Sequence, residues 1–198
     1  MQRTQNRRIW YLALAGLVAL LLVGGLVALQ PYGTPLNFFI RGAAALGYLA
    51  VFATIVSSAY LQQLVRFFGR PFIKVHHILA VTGLVLLLFH PVGVAIDSRD
   101  PRVFLPRFDS WTVFLQLGGR PAWYLIGAAA LAALWRKRLG DKWRAIHWLN
   151  YLAFWLATAH AILLGTNFQY PVVRAVAILL ALAVVAIFVR KRLPKRRR

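Results

Sequence analysis

Six long apolar runs divide the chain, and short segments containing glycine, proline or basic residues separate them. A helix needs about 20 mainly apolar residues to cross the hydrocarbon core of a bilayer. The pattern therefore predicts six membrane-spanning helices, and we expect an all-α integral membrane protein forming one domain over residues 1–198. The predicted spans are residues 9–29, 38–61, 73–96, 120–135, 145–165 and 171–189.

The composition also indicates a membrane protein. Hydrophobic residues make up 61% of the chain and charged residues only 14%, which is too apolar for an ordinary soluble domain. The chain contains no cysteine. Disulfides, iron–sulfur clusters and thiolate chemistry are therefore excluded for these residues.

The net charge of +20 is distributed in a way that indicates topology rather than nucleic-acid binding. Basic residues concentrate before the first span, between the second and third, between the fourth and fifth, and after the sixth. Loops rich in Lys and Arg face the cytoplasm. We therefore expect a six-transmembrane-helix bundle with both termini cytoplasmic and the remaining loops outside.

Histidine is the only ionisable residue type that recurs deep in the predicted spans. All four acidic residues lie in predicted loops, so a carboxylate proton relay is disfavoured. His76 and His90 in the third span are separated by about 21 Å along a helix, and His147 and His160 in the fifth by about 19–20 Å. Each of these spans therefore carries one histidine near each leaflet.

The third and fifth spans both start on the predicted cytoplasmic side, so they should run parallel. His76 then lies at the depth of His147, and His90 at the depth of His160. Two histidines facing each other at one depth can bind haem iron from both sides. A zinc site would need its ligands around a single ion. The alternative for any one histidine is a hydrogen bond to backbone or hydroxyl groups between helices.

Two motifs around these histidines resemble the ferric reductase-like transmembrane domain. That family includes NADPH oxidases, eukaryotic ferric reductases and the bacterial haem-binding subunit of the periplasmic methionine sulfoxide reductase system. The resemblance covers roughly residues 40–190. It rests on His76-His77-Ile78-Leu79 with His90, and on Arg138-Leu139-Gly140-Asp141-Lys142-Trp143-Arg144-Ala145-Ile146-His147 followed by Leu149-Asn150-Tyr151-Leu152-Ala153 and His160.

The resemblance implies two b-type haems. His76 with His147 would hold the cytoplasmic-side haem, and His90 with His160 the outer one. Because no G-x-G-x-x-G motif is present, the chain looks most like the small bacterial subunit of the plasma (inner) membrane. Its expected donor is a cytoplasmic flavin reductase or membrane quinol, with quinone or flavin as a further candidate cofactor on that side.

The expected acceptor is a periplasmic molybdoenzyme that repairs methionine sulfoxide, meeting the loop at residues 97–119. The chain would then be the electron-transfer subunit of an oxidoreductase system, without a catalytic residue of its own. One alternative is a stand-alone transmembrane ferric or oxygen reductase. Another is a haem-binding or structural membrane protein without redox activity.

Helical phase separates the adjacent histidines. At about 100° per residue, His76 lies about 40° from the face of His90 and His77 about 140° from it. His76 is therefore the predicted ligand, and His77 should point toward a neighbouring helix or the headgroups. The same arithmetic puts His147 and His160 about 140° apart, which a straight helix cannot reconcile; tilt, a kink or different rotamers could.

Other residues are candidates for supporting a haem. Gly83 lies between His76 and His90 and would let a macrocycle or another helix approach closely. Basic side chains could bind haem propionates, although each could equally snorkel to the interface. The candidates are Arg70, Lys74 and Arg144 on the cytoplasmic side and Arg41, Arg107 and Arg120 on the outer side.

Overall fold

The computed structural model describes residues 2–31, 33–69 and 71–192, with side chains described between residues 10 and 191. In these ranges the chain is helical and contains no strand, which confirms the all-α prediction. The α-helices are α1 (Gln2–Ala28), α2 (Pro35–Ala59), α3 (Leu61–Phe68), α4 (Ile73–Ser98), α5 (Trp111–Gln116), α6 (Gly119–Leu134), α7 (Arg136–Leu139), α8 (Lys142–His147), α9 (Leu149–Leu164) and α10 (Pro171–Arg192).

Among the described residues, four helical segments are long and apolar enough to cross a membrane. They are Trp10–Ala28, Pro35–Ala59, Ile73–Ser98 and Pro171–Lys191. They correspond to the first, second, third and sixth predicted spans. A membrane protein with several apolar helices is therefore supported by the structure as well as by the sequence.

The fourth and fifth predicted spans are each built from two helices. The longer pieces, α6 and α9, have 16 residues each, about 24 Å at 1.5 Å per residue. α6 is preceded by the short helix α5, with a break at Leu117 and Gly118. α9 follows α8 after a turn at Trp148, so the predicted continuous run 145–165 is interrupted.

Local signals in the sequence explain several helix ends. Thr34 caps α2 by accepting a hydrogen bond from the Asn37 N–H at 3.1 Å, and Pro35 occupies the first turn. α3 ends at Gly69, which adopts the left-handed conformation with φ of 65°. The second predicted span, 38–61, accordingly ends at Ala59, and the chain continues as α3 after Tyr60.

The described chain forms two compact units, Met1–Arg99 and Asp100–Arg198, called unit 1 and unit 2 below. In unit 1, α2 packs along α4. A Cβ at Gly83 would lie 3.3 Å from the Ala50 Cβ, and one at Gly93 would lie 2.5 Å from the Ile40 Cγ1. Glycine at these positions therefore allows the two helices to approach closely.

In unit 2, α9 packs against α5, α6 and α10, and α8 packs against α6. Ala129 of α6 and Ala153 and Phe154 of α9 are almost completely buried. Gly118 lies where a Cβ would meet the Leu156 carbonyl oxygen at 2.8 Å. The break between α5 and α6 therefore lies directly against the backbone of α9.

Candidate functional site

In unit 1, both predicted haem ligands are hydrogen-bonded to the backbone of the neighbouring helix. The Nδ1 of His76 lies 3.2 Å from the Thr54 carbonyl oxygen, and the Nδ1 of His90 lies 3.3 Å from the Ile40 carbonyl oxygen. His90 follows His76 on α4 by the same number of positions as Thr54 follows Ile40 on α2. Both side chains are half-buried.

Unit 2 repeats this arrangement with another spacing. The Nδ1 of His147 lies 3.0 Å from the Ala129 carbonyl oxygen, and the Nδ1 of His160 lies 2.6 Å from the Gln116 carbonyl oxygen. His160 follows His147 by 13 positions, and the acceptor Ala129 follows the acceptor Gln116 by 13 positions as well. In unit 1 both spacings are 14 positions. The two segments therefore run antiparallel in a constant register, as α2 and α4 do in unit 1.

These four hydrogen bonds select one tautomer of the imidazole ring. A carbonyl oxygen can only accept a hydrogen bond, so Nδ1 must carry the proton and donate it. In a neutral imidazole the basic lone pair then belongs to Nε2. Histidines that bind metals usually have their other ring nitrogen hydrogen-bonded to a carbonyl or carboxylate in this way. In their neutral form, all four predicted ligands therefore have the tautomer that axial ligation of haem iron through Nε2 requires.

Two polar side chains lie beside the His76 and His147 rings. The buried Ser57 Oγ lies 3.2 Å from Nδ1 of His76 and donates its own proton to the Thr54 carbonyl at 2.9 Å. The Ser57 oxygen can therefore be a second acceptor for the Nδ1 proton. The Asn150 amide lies 3.4 Å from Nδ1 of His147, and a flip that exchanges the amide nitrogen and oxygen would offer the oxygen in the same role.

The adjacent residue His77 lies in a different environment. Its side chain is exposed, whereas that of His76 is half-buried. The two ring centroids are 5.8 Å apart. Within the described parts of the chain, no hydrogen bond to His77 corresponds to the one between His76 and Thr54. The structure therefore orients only one histidine of this pair toward α2.

The breaks in unit 2 lie between the two attachment points. The turn at Trp148 directly follows His147, and the Tyr151 N–H bonds to the Trp148 carbonyl at 3.0 Å in place of a regular i−4 contact. On the partner segment, the break at Leu117 and Gly118 directly follows Gln116. Both histidines reach α5 and α6 despite their unfavourable spacing, and we infer that the breaks supply the necessary change of helical phase.

Gly119 leaves room for the His160 ring. A Cβ at this position would lie 2.8 Å from Cδ2 of His160, closer than real Cβ contacts permit, and 3.1 Å from Nε2, which is unusually tight. The Gly118-Gly119 pair, which is readable in the sequence, was the available signal for this close approach.

Most described candidates for propionate contacts already bind oxygen atoms of the chain itself. Arg41 donates to the Pro31 carbonyl at 3.2 Å. Arg107 pairs with Asp109 at 2.8 Å, and Arg144 pairs with Asp141 at 2.7 Å. Arg120 donates to two loop carbonyls, those of Arg102 and Leu105. Lys74 is exposed, and Arg70 lies outside the described residues.

In the described parts of the chain, no three His, Cys, Asp or Glu side chains converge as a metal-ion site. Haem iron needs only two protein ligands, so this observation does not bear on the haem prediction. Searches with this chain against protein-family models, curated proteins and solved structures find no match. The function of this chain must therefore be inferred from its residues and their geometry.

Proposed function

We propose that the chain is a b-type haem electron-transfer protein that crosses the bacterial plasma (inner) membrane several times. The observation that carries this proposal is the shared geometry of His76, His90, His147 and His160. Each donates its Nδ1 proton to a backbone carbonyl of an adjacent helical segment, at 3.2, 3.3, 3.0 and 2.6 Å respectively. A single histidine could make such a bond only to satisfy its ring between helices. What supports the proposal is that four histidines, two in each unit, share the tautomer that binds metal through Nε2.

A six-span topology is part of the proposal. Residues 142–164 of α8 and α9 would extend over about 34 Å, and residues 111–134 of α5 and α6 over about 36 Å, if each pair ran roughly straight. Both lengths exceed the hydrocarbon thickness of about 30 Å. The two interrupted segments can therefore supply the fourth and fifth spans. The placement of the basic residues supports cytoplasmic termini.

The residues fit haem b in their donor chemistry. Imidazole is a common axial ligand, and the chain has no cysteine for covalent attachment of the macrocycle. Bound haem would supply one-electron redox chemistry at its iron. In this proposal the chain orients four Nε2 atoms, makes them better electron donors through the Nδ1 hydrogen bonds and provides apolar surroundings. The pairing of His76 with His147 and of His90 with His160 stays a prediction.

The partners proposed here come from the family resemblance. The donor is a cytoplasmic flavin reductase or membrane quinol, with quinone or flavin as a candidate second cofactor. The acceptor is a periplasmic enzyme such as a molybdenum-dependent methionine sulfoxide reductase. Electrons would then leave a donor on the side of His76 and His147 and reach an acceptor on the side of His90 and His160.

The test is a reduced-minus-oxidised absorption spectrum of the purified full chain, combined with a pyridine haemochrome assay of haem per protein. Expression must include an adequate haem supply. We expect the α-band of six-coordinate b-type haem and two haems per chain. A variant with all four histidines replaced by alanine should lose both haems, whereas His77→Ala should retain them. Haem-free wild-type protein would refute the proposal, and haem that does not change oxidation state would favour a non-redox protein.

A further inference from the structure

An exposed aromatic surface lies on the segment that leads into α5. Leu105, Phe108 and Trp111 are 58%, 75% and 73% exposed, respectively. Phe108 and Trp111 each stack with Phe114, with ring centroids 5.6 Å apart in both pairs. We call Leu105, Phe108 and Trp111 the aromatic surface. Large apolar side chains grouped in this way usually mark contact with a membrane or a partner.

Hydrogen bonds hold the backbone behind the aromatic surface in place. Arg120 donates to the carbonyls of Arg102 and Leu105 at 3.1 and 2.8 Å. The Tyr124 hydroxyl donates to the Phe104 carbonyl at 3.1 Å. These bonds attach the segment to α6, so the aromatic side chains project from a fixed part of unit 2.

The segment is also suited to the boundary between lipid and water. Ser110 caps α5 by accepting a hydrogen bond from the Val113 N–H at 3.2 Å, which satisfies one backbone group at the helix start. Arg107 and Asp109 are the only charged residues between positions 105 and 114. They form two hydrogen bonds of 2.8 and 2.9 Å with each other. The segment therefore has no net charge.

The register of unit 2 gives the level of the aromatic surface along the helices. Gln116 lies level with His160, because its carbonyl accepts the hydrogen bond from Nδ1. Five residues before Gln116 is Trp111, and five residues after His160 is Gly165, where α9 has just ended. Trp111 therefore lies at the level where the apolar helix α9 stops. Tryptophan is enriched at this level in membrane proteins, where its ring contacts both acyl chains and headgroups.

We propose that the aromatic surface is inserted in the headgroup interface of the bilayer and anchors one end of unit 2 there. The proposal requires that α5–α6 and α8–α9 cross the membrane, which is one part of the proposed function, but it does not depend on haem. A soluble partner, such as the acceptor expected at the loop of residues 97–119, would be the other occupant of such a surface. Charge complementarity commonly guides soluble partners, and the paired charges of this segment offer little of it. An interfacial anchor needs no net charge.

Site-directed spin labelling can test the proposal because the chain has no cysteine. Leu105→Cys, Phe108→Cys and Trp111→Cys would be labelled singly, so that two of the three side chains remain in each variant. Arg102→Cys is the aqueous control, since the Arg102 side chain is 81% exposed. Leu131→Cys is the lipid control, because Leu131 lies in α6 and is 48% exposed. Each full-length variant would be reconstituted in phosphatidylcholine–phosphatidylglycerol nanodiscs without any partner protein.

The measurement is power saturation with oxygen, which partitions into lipid, and with a water-soluble nickel chelate. We expect the ratio of oxygen to nickel accessibility at positions 105, 108 and 111 to be several-fold higher than at position 102 and lower than at position 131. Values at all three positions equal to that at 102 would overturn the anchor and leave a water-exposed surface for a soluble partner. If position 131 also matched 102, the proposed span through α6 would fail together with the anchor.

Discussion

Units 1 and 2 orient their histidines by the same kind of hydrogen bond, but the helices are uninterrupted in unit 1 and interrupted in unit 2. In unit 1, the two attachment points lie on the uninterrupted helices α2 and α4. In unit 2, their spacing is one residue shorter, and both segments contain a break directly beside one attachment point. Fourteen residues return a helix nearly to the same face, whereas thirteen do not. The comparison shows that a helix break can compensate for an unfavourable spacing.

The largest expected effect is loss of haem, and it should distinguish substitution of His76 from substitution of its neighbour His77 in unit 1. His76→Ala removes an imidazole whose Nδ1 is attached to α2, so this variant should lose one of two haems. His77→Ala removes an exposed ring and should keep both. Haem-to-protein stoichiometry of the two variants provides the measurement. Loss of haem in His77→Ala alone would mean that α4 is not regular between residues 76 and 90.

Gly119→Ala tests whether the first residue of α6 must lack a side chain to accommodate His160. The new Cβ would lie 2.8 Å from the imidazole Cδ2. Overpacking of this kind typically costs about 1–3 kcal/mol. We expect lower thermal stability of the haem-free protein and a changed electron paramagnetic resonance signal from only one haem.

Gly127→Ala is the matched control for that variant. It lies in the same helix, α6, and a Cβ there would have no neighbour within 4 Å. The substitution should therefore leave both haem signals close to those of the wild type and should not lower the thermal stability, because alanine favours a helix interior over glycine. Equal behaviour of the two alanine variants would contradict the role assigned to Gly119.

A smaller effect is expected from the second acceptor near His76. Ser57→Ala removes the oxygen 3.2 Å from Nδ1, while the Thr54 carbonyl remains. A hydrogen bond typically contributes about 0.5–1.5 kcal/mol, so haem should stay bound. Weaker hydrogen bonding at Nδ1 makes the ligand nitrogen less basic, which should raise the midpoint potential of one haem.

Redox titration of Ser57→Ala alongside Ser58→Ala would check this expectation. Ser58 is the exposed neighbour of the buried Ser57 on α2, so its substitution controls for a general change in the helix. A shift of the same size in both variants, or a lower potential in Ser57→Ala, would count against the proposed role of the Ser57 oxygen.

The smallest effect concerns the loop at the start of unit 2. Hydrogen bonds from Arg102 and Arg107 hold the pKa values of Asp100 and Asp109, respectively, below the ordinary value of 3.8. Each folded-state pKa is depressed, so the ion pairs contribute above the ordinary value and are lost as the pH falls through the folded value. Both groups are fully exposed, so the effect should be small.

Carbon-13 NMR of the aspartate carboxyl groups can test this pH dependence, because the chain has only four acidic residues. Arg102→Gln and Arg107→Gln should each raise the pKa of the paired aspartate toward 3.8, while leaving that of the other aspartate in the loop unchanged. Wild-type titration of Asp100 or Asp109 at or above this ordinary value would disprove the corresponding ion pair.

The sequence predicted the long helices better than the interruptions. The apolar runs located α1, α2, α4 and α10 because length and hydropathy determine those elements. The turn at Trp148 contains no glycine or proline that could have predicted it. None is needed there, because Trp148 keeps a right-handed helical conformation with φ of −67°. Phase arithmetic nevertheless indicated that a straight helix could not serve both His147 and His160.

The predicted ligands were also easier to identify than their attachment. Five histidines in a chain with few ionisable residues stand out from the sequence. Their acceptors are main-chain carbonyls, which every residue possesses and which therefore leave no mark in the sequence. The preference for His76 over His77 came from helical phase, and in the structure His76 is the residue that contacts α2.

The use of main-chain acceptors affects how this protein can change during evolution. The four acceptor positions carry isoleucine, threonine, glutamine and alanine, whose side chains share no chemistry. A substitution at any of them leaves its carbonyl oxygen in place. The orientation of the imidazole rings is therefore protected from most point mutations at these positions, and homologous chains can differ there while retaining the same tautomer. Selection would act instead on the histidines and on residues that maintain the backbone register.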